Sequence, residues 1–484
     1  MMNFLYMVCK NSTFGQNHTD MTFTERVFDI FRQLNGIPRP SHHEEKVADF
    51  LCGYASKLGL EYDRDAQNCV VIRKPATPGH ENAETIVLLN QMDMVAVGDG
   101  TRTFNPLTDG IESYIDGGFM KARGTSLGAD NGIGLSMALA VLASDDIIHG
   151  PIEVLTTTNE EDGMTGAAGM SSDFIRGRKV INLDSEDYDT ITVGAAGAYL
   201  QIATIKTDAR PAPVGMRFYS VSLSGGAGGH SGVDIGKGRI NANQALAQLL
   251  LDNCPDLQIS SFDGGSANAS IAASATAVIA VPAEITLDGF ESVRSRYTDG
   301  ENLKLEVNEV PEQQVIADAS VLKLIASLPC GVIRMHDSLP GTVMTSNNIG
   351  MVRTEGGTIT ISCHTRSFSD TEMVATAEGI SHRFREYGAQ VQVMMNTPGW
   401  QENSSSDFLK MTDSTFRDVL GFSPRKVAMH FVLEAGYYVQ KFPGIEIACI
   451  GPRIIEPHST KERVELSTVH DICRVLVEML RRLA

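Results

Sequence analysis

The sequence has no CxxC pair, a single tryptophan and no long apolar run. Its eight cysteines (Cys9, Cys52, Cys69, Cys254, Cys330, Cys363, Cys449 and Cys473) are scattered, which excludes a cysteine zinc ribbon and a disulfide scaffold. Most stand in apolar contexts and read as small buried hydrophobes in a reducing, cytoplasmic setting. No apolar run reaches the roughly 18 residues of a membrane span, so no membrane partner is expected. The apolar start Met1 to Cys9 has no basic residue ahead of it and no small-residue cleavage site, so no signal peptide is expected. Positive charge is scarce as well: 40 Lys and Arg stand against 59 Asp and Glu, a net charge of −19. With no basic run to offset it, that balance excludes a nucleic-acid binder.

What is present is organised around Lys121-Ala-Arg-Gly-Thr-Ser-Leu-Gly-Ala-Asp-Asn-Gly-Ile-Gly134. Asp130 sits among its glycines, just ahead of the apolar run Leu135 to Ala143, which has helical spacing and no breaker. Taken alone, Asp130 reads as a helix N-cap. Four other apolar segments also end in acids or histidine, and all of these could face it.

The 484 residues exceed what one core usually holds, so two domains are expected. Residues 22–35 have helical periodicity with Gly36 as a stop, and Ser41-His-His-Glu-Glu45 resembles a capping box opening a helix to about Leu58. Strands are expected at Cys69 to Arg73, Thr85 to Leu89, Phe119 to Arg123, Ile152 to Thr156 and Val180 to Leu183. Strands alternating with helices imply an α/β doubly wound, mostly parallel sheet, with ligands at the carboxyl ends of the strands. Asp93, Glu160, Glu161 and Asp184 all fall there. After about residue 198 alternating strands (217–224, about 269–281, 302–308 and 357–366) and a helix at about 239–252 indicate an α+β insert. The α/β style returns with a strand at Gly444 to Ile450 and a closing helix at 467–483. The expected division is 1–198 and 400–484 for the catalytic domain and 199–399 for a lid.

Five carboxylates cannot share a cleft without protons or metal ions to offset their charge. Carboxylates with a histidine suit Zn²⁺, Mn²⁺ or Co²⁺. The glycines from Gly225 to Gly232 read as a tight turn; no Lys-Ser/Thr follows at phosphate-loop spacing. Gly128 to Gly134 likewise lacks the spacing of a dinucleotide fingerprint.

The sequence resembles the Xaa-His dipeptidases of the two-zinc aminoacylase/glutamate-carboxypeptidase clan. The resemblance rests on Ser41-His-His-Glu-Glu45, Met92-Asp-Met-Val95, the Lys121–Gly134 stretch, Glu160-Glu161, Asp184-Ser-Glu186, Gly229-His-Ser-Gly232, Pro398-Gly-Trp400, Leu433-Glu434 and Pro457-His-Ser459. It implies a zinc-dependent dipeptidase, with one or two ions per subunit (manganese or cobalt being alternatives), that hydrolyses small peptides with metal-activated water. It allows a homodimer. By the same resemblance Asp130 would bridge two metals. Asp184 and Gln91 would serve one, and Glu161 and His458 the other. Glu160 would be the general base, Asp93 would orient the ligand at Gln91, and His230, carried by the lid, would stabilise the oxyanion. Arg366, His430 and Glu434 would lie near substrate. His42, His43 and His149 match the family yet read as structural, and Trp400 as interdomain packing.

Two departures stand out. Gln91 replaces a metal-binding histidine, and the family's Gly-Gly-Thr-Leu-Arg-Asn-Ala-Ile-Pro becomes Gly264-Gly-Ser-Ala-Asn-Ala-Ser-Ile-Ala272, with Asn268 and Ala269 where arginine and asparagine stand. These leave a second reading, a catalytically weakened relative that binds a peptide or amino-acid ligand without efficient turnover.

Overall fold

A computed structural model describes residues 21–401, 403 and 405–484. Met1 to Cys9, with the signal-peptide question, lies outside the described residues. The chain divides into two units. The first comprises the described part of Met1–Val193 with Asn403–Val427 and Tyr437–Ala484, and the second Gly194–Glu402 with Ala428–Gly436. The return to the first unit is therefore not the single step expected at residue 400. Ala428–Gly436 belongs to the second unit, held there in part by the bond from Ala196 N to Met429 O at 2.8 Å.

The first unit is built on an eight-stranded sheet. Its order is Glu61–Arg64, Val70–Lys74, Ile152–Thr157, Ile86–Gln91, Lys179–Asn182, Glu446–Cys449, Thr190–Ala195 and Arg425–Met429. The four central strands, Ile152–Thr157 to Glu446–Cys449, are parallel, as the alternation of strands and helices predicts. Pairing turns antiparallel on the outer side of Ile152–Thr157, at Val70–Lys74 and Glu61–Arg64. The central strand Ile86–Gln91 is buried at every position, which is why it reads as a continuous apolar run. Helices Phe23–Asn35, Ala129–Leu142 and Leu466–Arg482 share one apolar cluster with it. The first spans the predicted segment and ends at Gly36 as expected; Thr22 and Glu25 open it with a reciprocal capping box.

Two local expectations fail. Helix Glu45–Leu58 has no side-chain cap; the Ser41 hydroxyl donates instead to Asp93 Oδ2 at 2.8 Å, a long-range partner that outcompetes the local cap. Asp130 is not an N-cap. Gly128 occupies that position, and Asp130 itself has non-helical backbone angles (φ −81°, ψ 110°). The amides of Leu127, Gly128, Ala129 and Asp130 all donate to the Glu462 carboxylate, at 2.7–3.3 Å. Glu462→Ala would strand several buried N–H groups, so it should lower the urea unfolding midpoint of the metal-free protein by an amount equivalent to about 3 kcal/mol or more.

The second unit is an antiparallel sheet in the order Lys304–Val310, Arg217–Ser224, Ala275–Val281, Gln258–Gly264, Val343–Glu355, Thr358–Ser367, Gly197–Lys206 and Gln390–Thr397. Helices Ala242–Asn253 and Ser320–Ser327 contribute to its core. The strands expected at 217–224, 302–308 and 357–366 and the helix fall close to their predicted positions, whereas the strand expected from about 269 begins only at Ala275. Trp400 is buried, and its backbone pairs with Ala195, also of this unit. Seven described cysteines are free and five of them are buried, as their contexts indicate.

Candidate active site

The parallel register aligns the strand ends that carry the acids. Gln91 lies opposite Thr157, and Leu89 opposite Asn182. Gln91, the Glu160-Glu161 turn and Asp184 therefore leave the sheet at one edge, its carboxyl end. Helix Ala129–Leu142 brings Asp130 to them. Gly134 makes that approach feasible, because a Cβ there would lie 2.4 Å from Leu183 O and 2.0 Å from Asn131 Oδ1. His458 arrives on a loop and holds φ 57°, left-handed backbone that a non-glycine residue adopts at a cost repaid by its contacts.

Those contacts define a triad. His458 Nε2 lies 3.1 Å from Asp130 Oδ2 and 2.9 Å from Glu161 Oε2, and all three side chains can offer an atom to one cation. Between two carboxylates, the His458 ring is pushed up to about 11. Burial, with Asp130 beside it, pushes Glu161 up to about 7 against the pull of His458. Burial and the neighbouring Asp130 and Glu160 hold Asp184 well above the usual carboxylate range. Asp184 Oδ1 and Gln91 Oε1 are buried without a hydrogen-bond partner. Crowded carboxylates, one imidazole and orphaned oxygens fit divalent cations.

The Asp93 carboxylate accepts from the amides of Glu160 (3.1 Å) and Glu161 (3.2 Å), so it positions the turn that carries the acids. Gln91 Nε2 donates to Glu161 Oε1 at 3.1 Å. Arg39, fully buried, donates to Met92 O and Asp93 O at 3.0 Å and to Gly128 O at 2.5 Å, tying the Asp93 turn to the Asp130 loop. Sequence reasoning missed Arg39 and Glu462; each acts on backbone groups distant in sequence, and no local pattern marks them.

The other expected residues collect in the second unit. His230 Nδ1 accepts from the amides of Gly232 and Val233, both at 3.2 Å, which leaves the proton on Nε2. Burial and the Arg366 charge lower its pKa, so the ring is a neutral donor. Arg366 is buried with Ser231 Oγ at 3.4 Å, and His430 Nε2 pairs with Ser346 Oγ at 2.8 Å. Glu434 is buried a few residues on. His42 pairs with Asp162 at 2.9 Å and His149 with Gly150 O at 2.6 Å, in keeping with structural roles.

The profile of peptidase family M20/M25/M40 matches residues 87–482. The chain belongs to that family. It is 34% identical over 472 residues to the cytosol non-specific dipeptidase of Escherichia coli, covering 94% of this chain and 97% of that protein. Its fold is similar to the crystal structure of aminoacylhistidine dipeptidase from Vibrio alginolyticus, with TM-score 0.87 and 32% identity over 96% of this chain and 99% of that one. Aminopeptidase PepT from Bacillus cereus shares the fold alone, at TM-score 0.60 and 18% identity over 95% and 98% of the two chains.

Proposed function

We propose that this member of peptidase family M20/M25/M40 is a metal-dependent dipeptidase of the cytoplasm, hydrolysing small dipeptides, with Xaa-His among the candidates. The convergence of Asp130, Glu161 and His458 at the sheet edge, beside Asp184 and Glu160, carries this reading. The names of the Escherichia coli and Vibrio alginolyticus relatives point the same way.

Asp130, Glu161 and His458 would hold one zinc ion, and Asp130, Asp184 and Gln91 a second, harder one. Cations bound there lower the pKa of water and polarise the peptide carbonyl. Glu160 takes the proton of the attacking water and returns it to the leaving amine. Asp93 fixes the Glu160 turn through its amides, with Ser41 and Arg39 supporting Asp93 in turn. His230 presents Nε2–H to the oxyanion. Arg366 pairs with the substrate carboxylate, with His430 and Glu434 beside the bound peptide.

Gln91 favours one competing reading, a relative that binds peptides or amino acids without efficient turnover, because an amide oxygen is a weaker zinc ligand than imidazole. A screen of dipeptides with added Zn²⁺, Mn²⁺ or Co²⁺, read as free amine released, separates the two. Hydrolysis of at least one dipeptide in a metal-dependent way is expected. Binding of dipeptides without release of amine under any of the three metals would replace the dipeptidase reading with the binding one.

A further inference from the structure

Strand Thr358–Ser367 is buried along nearly all its length, yet its two faces differ. Ile359, Ile361 and Cys363 enter the apolar core of the second unit. His364 and Arg366 fall on the opposite face, across from Asn348 and Ser346 of the neighbouring strand. That face is nearly as inaccessible, with His364 5% and Arg366 3% exposed, but what covers it is polar. Ser231 lies over Arg366. The Asn268-Ala269-Ser270 turn closes the other side, tied down by Ser231 N to Ala269 O at 2.7 Å and Asn348 Nδ2 to Ser270 O at 2.8 Å. His430, bonded to Ser346, completes the wall.

This recess is poorly satisfied from within. A guanidinium carries five donors, and Arg366 has only two contacts of 3.4 Å to one hydroxyl and no carboxylate partner among the described residues. Both ring nitrogens of His364, Nδ1 of His430 and Oδ1 of Asn268 are buried without a well-formed hydrogen bond; the Asn268 backbone lies near the His364 ring and the Val343 backbone near the His430 ring. Buried polar atoms are rarely left unpaired, and four around one buried cation point to a ligand that pairs with them. An anion alone would satisfy Arg366 and leave His364 and Asn268 unanswered.

We propose that His364 is a specificity-determining residue: with Asn268 it forms a polar recess beside Arg366 that selects ligands in which a carboxylate is joined to a side chain able both to donate and to accept hydrogen bonds. Amide, hydroxyl and imidazole side chains qualify. Burial and the Arg366 charge hold the His364 ring uncharged, at about 3, so it offers one donor and one acceptor nitrogen. The Asn268 oxygen adds an acceptor. An apolar side chain in the recess would leave all three unpaired, and sites of this kind reject such analogues strongly. That the ligand is the C-terminal residue of a dipeptide rests on the dipeptidase reading; the recess itself does not.

The test compares natural protein, His364→Leu and His364→Asn. Dipeptides with a common first residue, Ala-Asn and Ala-Ser against Ala-Leu and Ala-Val, report kcat/KM with added Zn²⁺ or Mn²⁺. Free L-asparagine and L-leucine, titrated by saturation-transfer NMR, report binding independently of turnover; their identical α-groups cancel any common metal contribution. The natural protein should favour the polar member by about 10-fold or more in both assays. His364→Leu should erase the preference, mainly through KM, and His364→Asn should keep most of it. Equal affinity for the two amino acids in the natural protein, or a preference that survives His364→Leu, overturns the proposal. A His364-dependent preference for asparagine with no dipeptide cleaved would sink the dipeptidase reading and leave the recess standing.

Discussion

Glu160→Gln removes activity by on the order of 10²-fold or more while metal content and fold are kept. The glutamine fills the same space but cannot take a proton from water or return one to the leaving amine. The turn it stands on is unaffected, because Asp93 holds the backbone amides of residues 160 and 161, not their side chains. Metal analysis, circular dichroism and kcat/KM on the best dipeptide from the screen together decide it. A Glu160→Gln protein with natural activity would remove Glu160 as general base and require another group in that role.

Gln91→His has the second large effect, and in the opposite direction. In the natural chain the triad keeps a nitrogen donor, His458, while Asp130, Asp184 and Gln91 offer only oxygen. All-oxygen sets favour harder ions such as Mn²⁺ or Mg²⁺ over Zn²⁺. The two positions should therefore bind unequally, zinc at the triad and a weaker or harder ion at Asp184. Gln91 Oε1, buried and unpaired, is the atom available to that second ion, while its Nε2 is engaged by Glu161. Replacing Gln91 by histidine supplies a nitrogen ligand and removes the amide's hold on Glu161. Zinc affinity at the second position should rise at least about 10-fold, a span that even indirect changes around metal ligands reach, and peptidase activity should rise with it. The outcome is read by metal content after dialysis at neutral pH and by kcat/KM. Two zinc ions held equally tightly by the natural protein would show that Gln91 is no handicap.

Much of the first unit was legible because its signals are local. The helix at Phe23–Asn35 carries its own capping box and stop, and the central strands are apolar runs ending in acids. Strand ends at one sheet edge follow from parallel pairing, so Glu160, Glu161 and Asp184 could be placed together before any coordinates. The Ser41 cap failed for the opposite reason: a hydroxyl that suits the adjacent helix found Asp93, fifty-two residues away, a competitor invisible to local spacing.

By itself the sequence determined the class of each unit, the strands that bear acids and the residue types able to hold a cation, since periodicity and residue chemistry are properties of short segments. Only the tertiary structure decided how those groups are used. It gave the Asp130 loop to Glu462 and Arg39 and turned Asp93 toward the Glu160 turn. It aimed Gln91 at Glu161 and set Ala428–Gly436, with His430, into the second unit. Each of these is a hydrogen bond or packing choice between segments far apart in the chain. The winner is set by which buried polar groups would otherwise go unpaired, and that is known only once the backbone is closed around them.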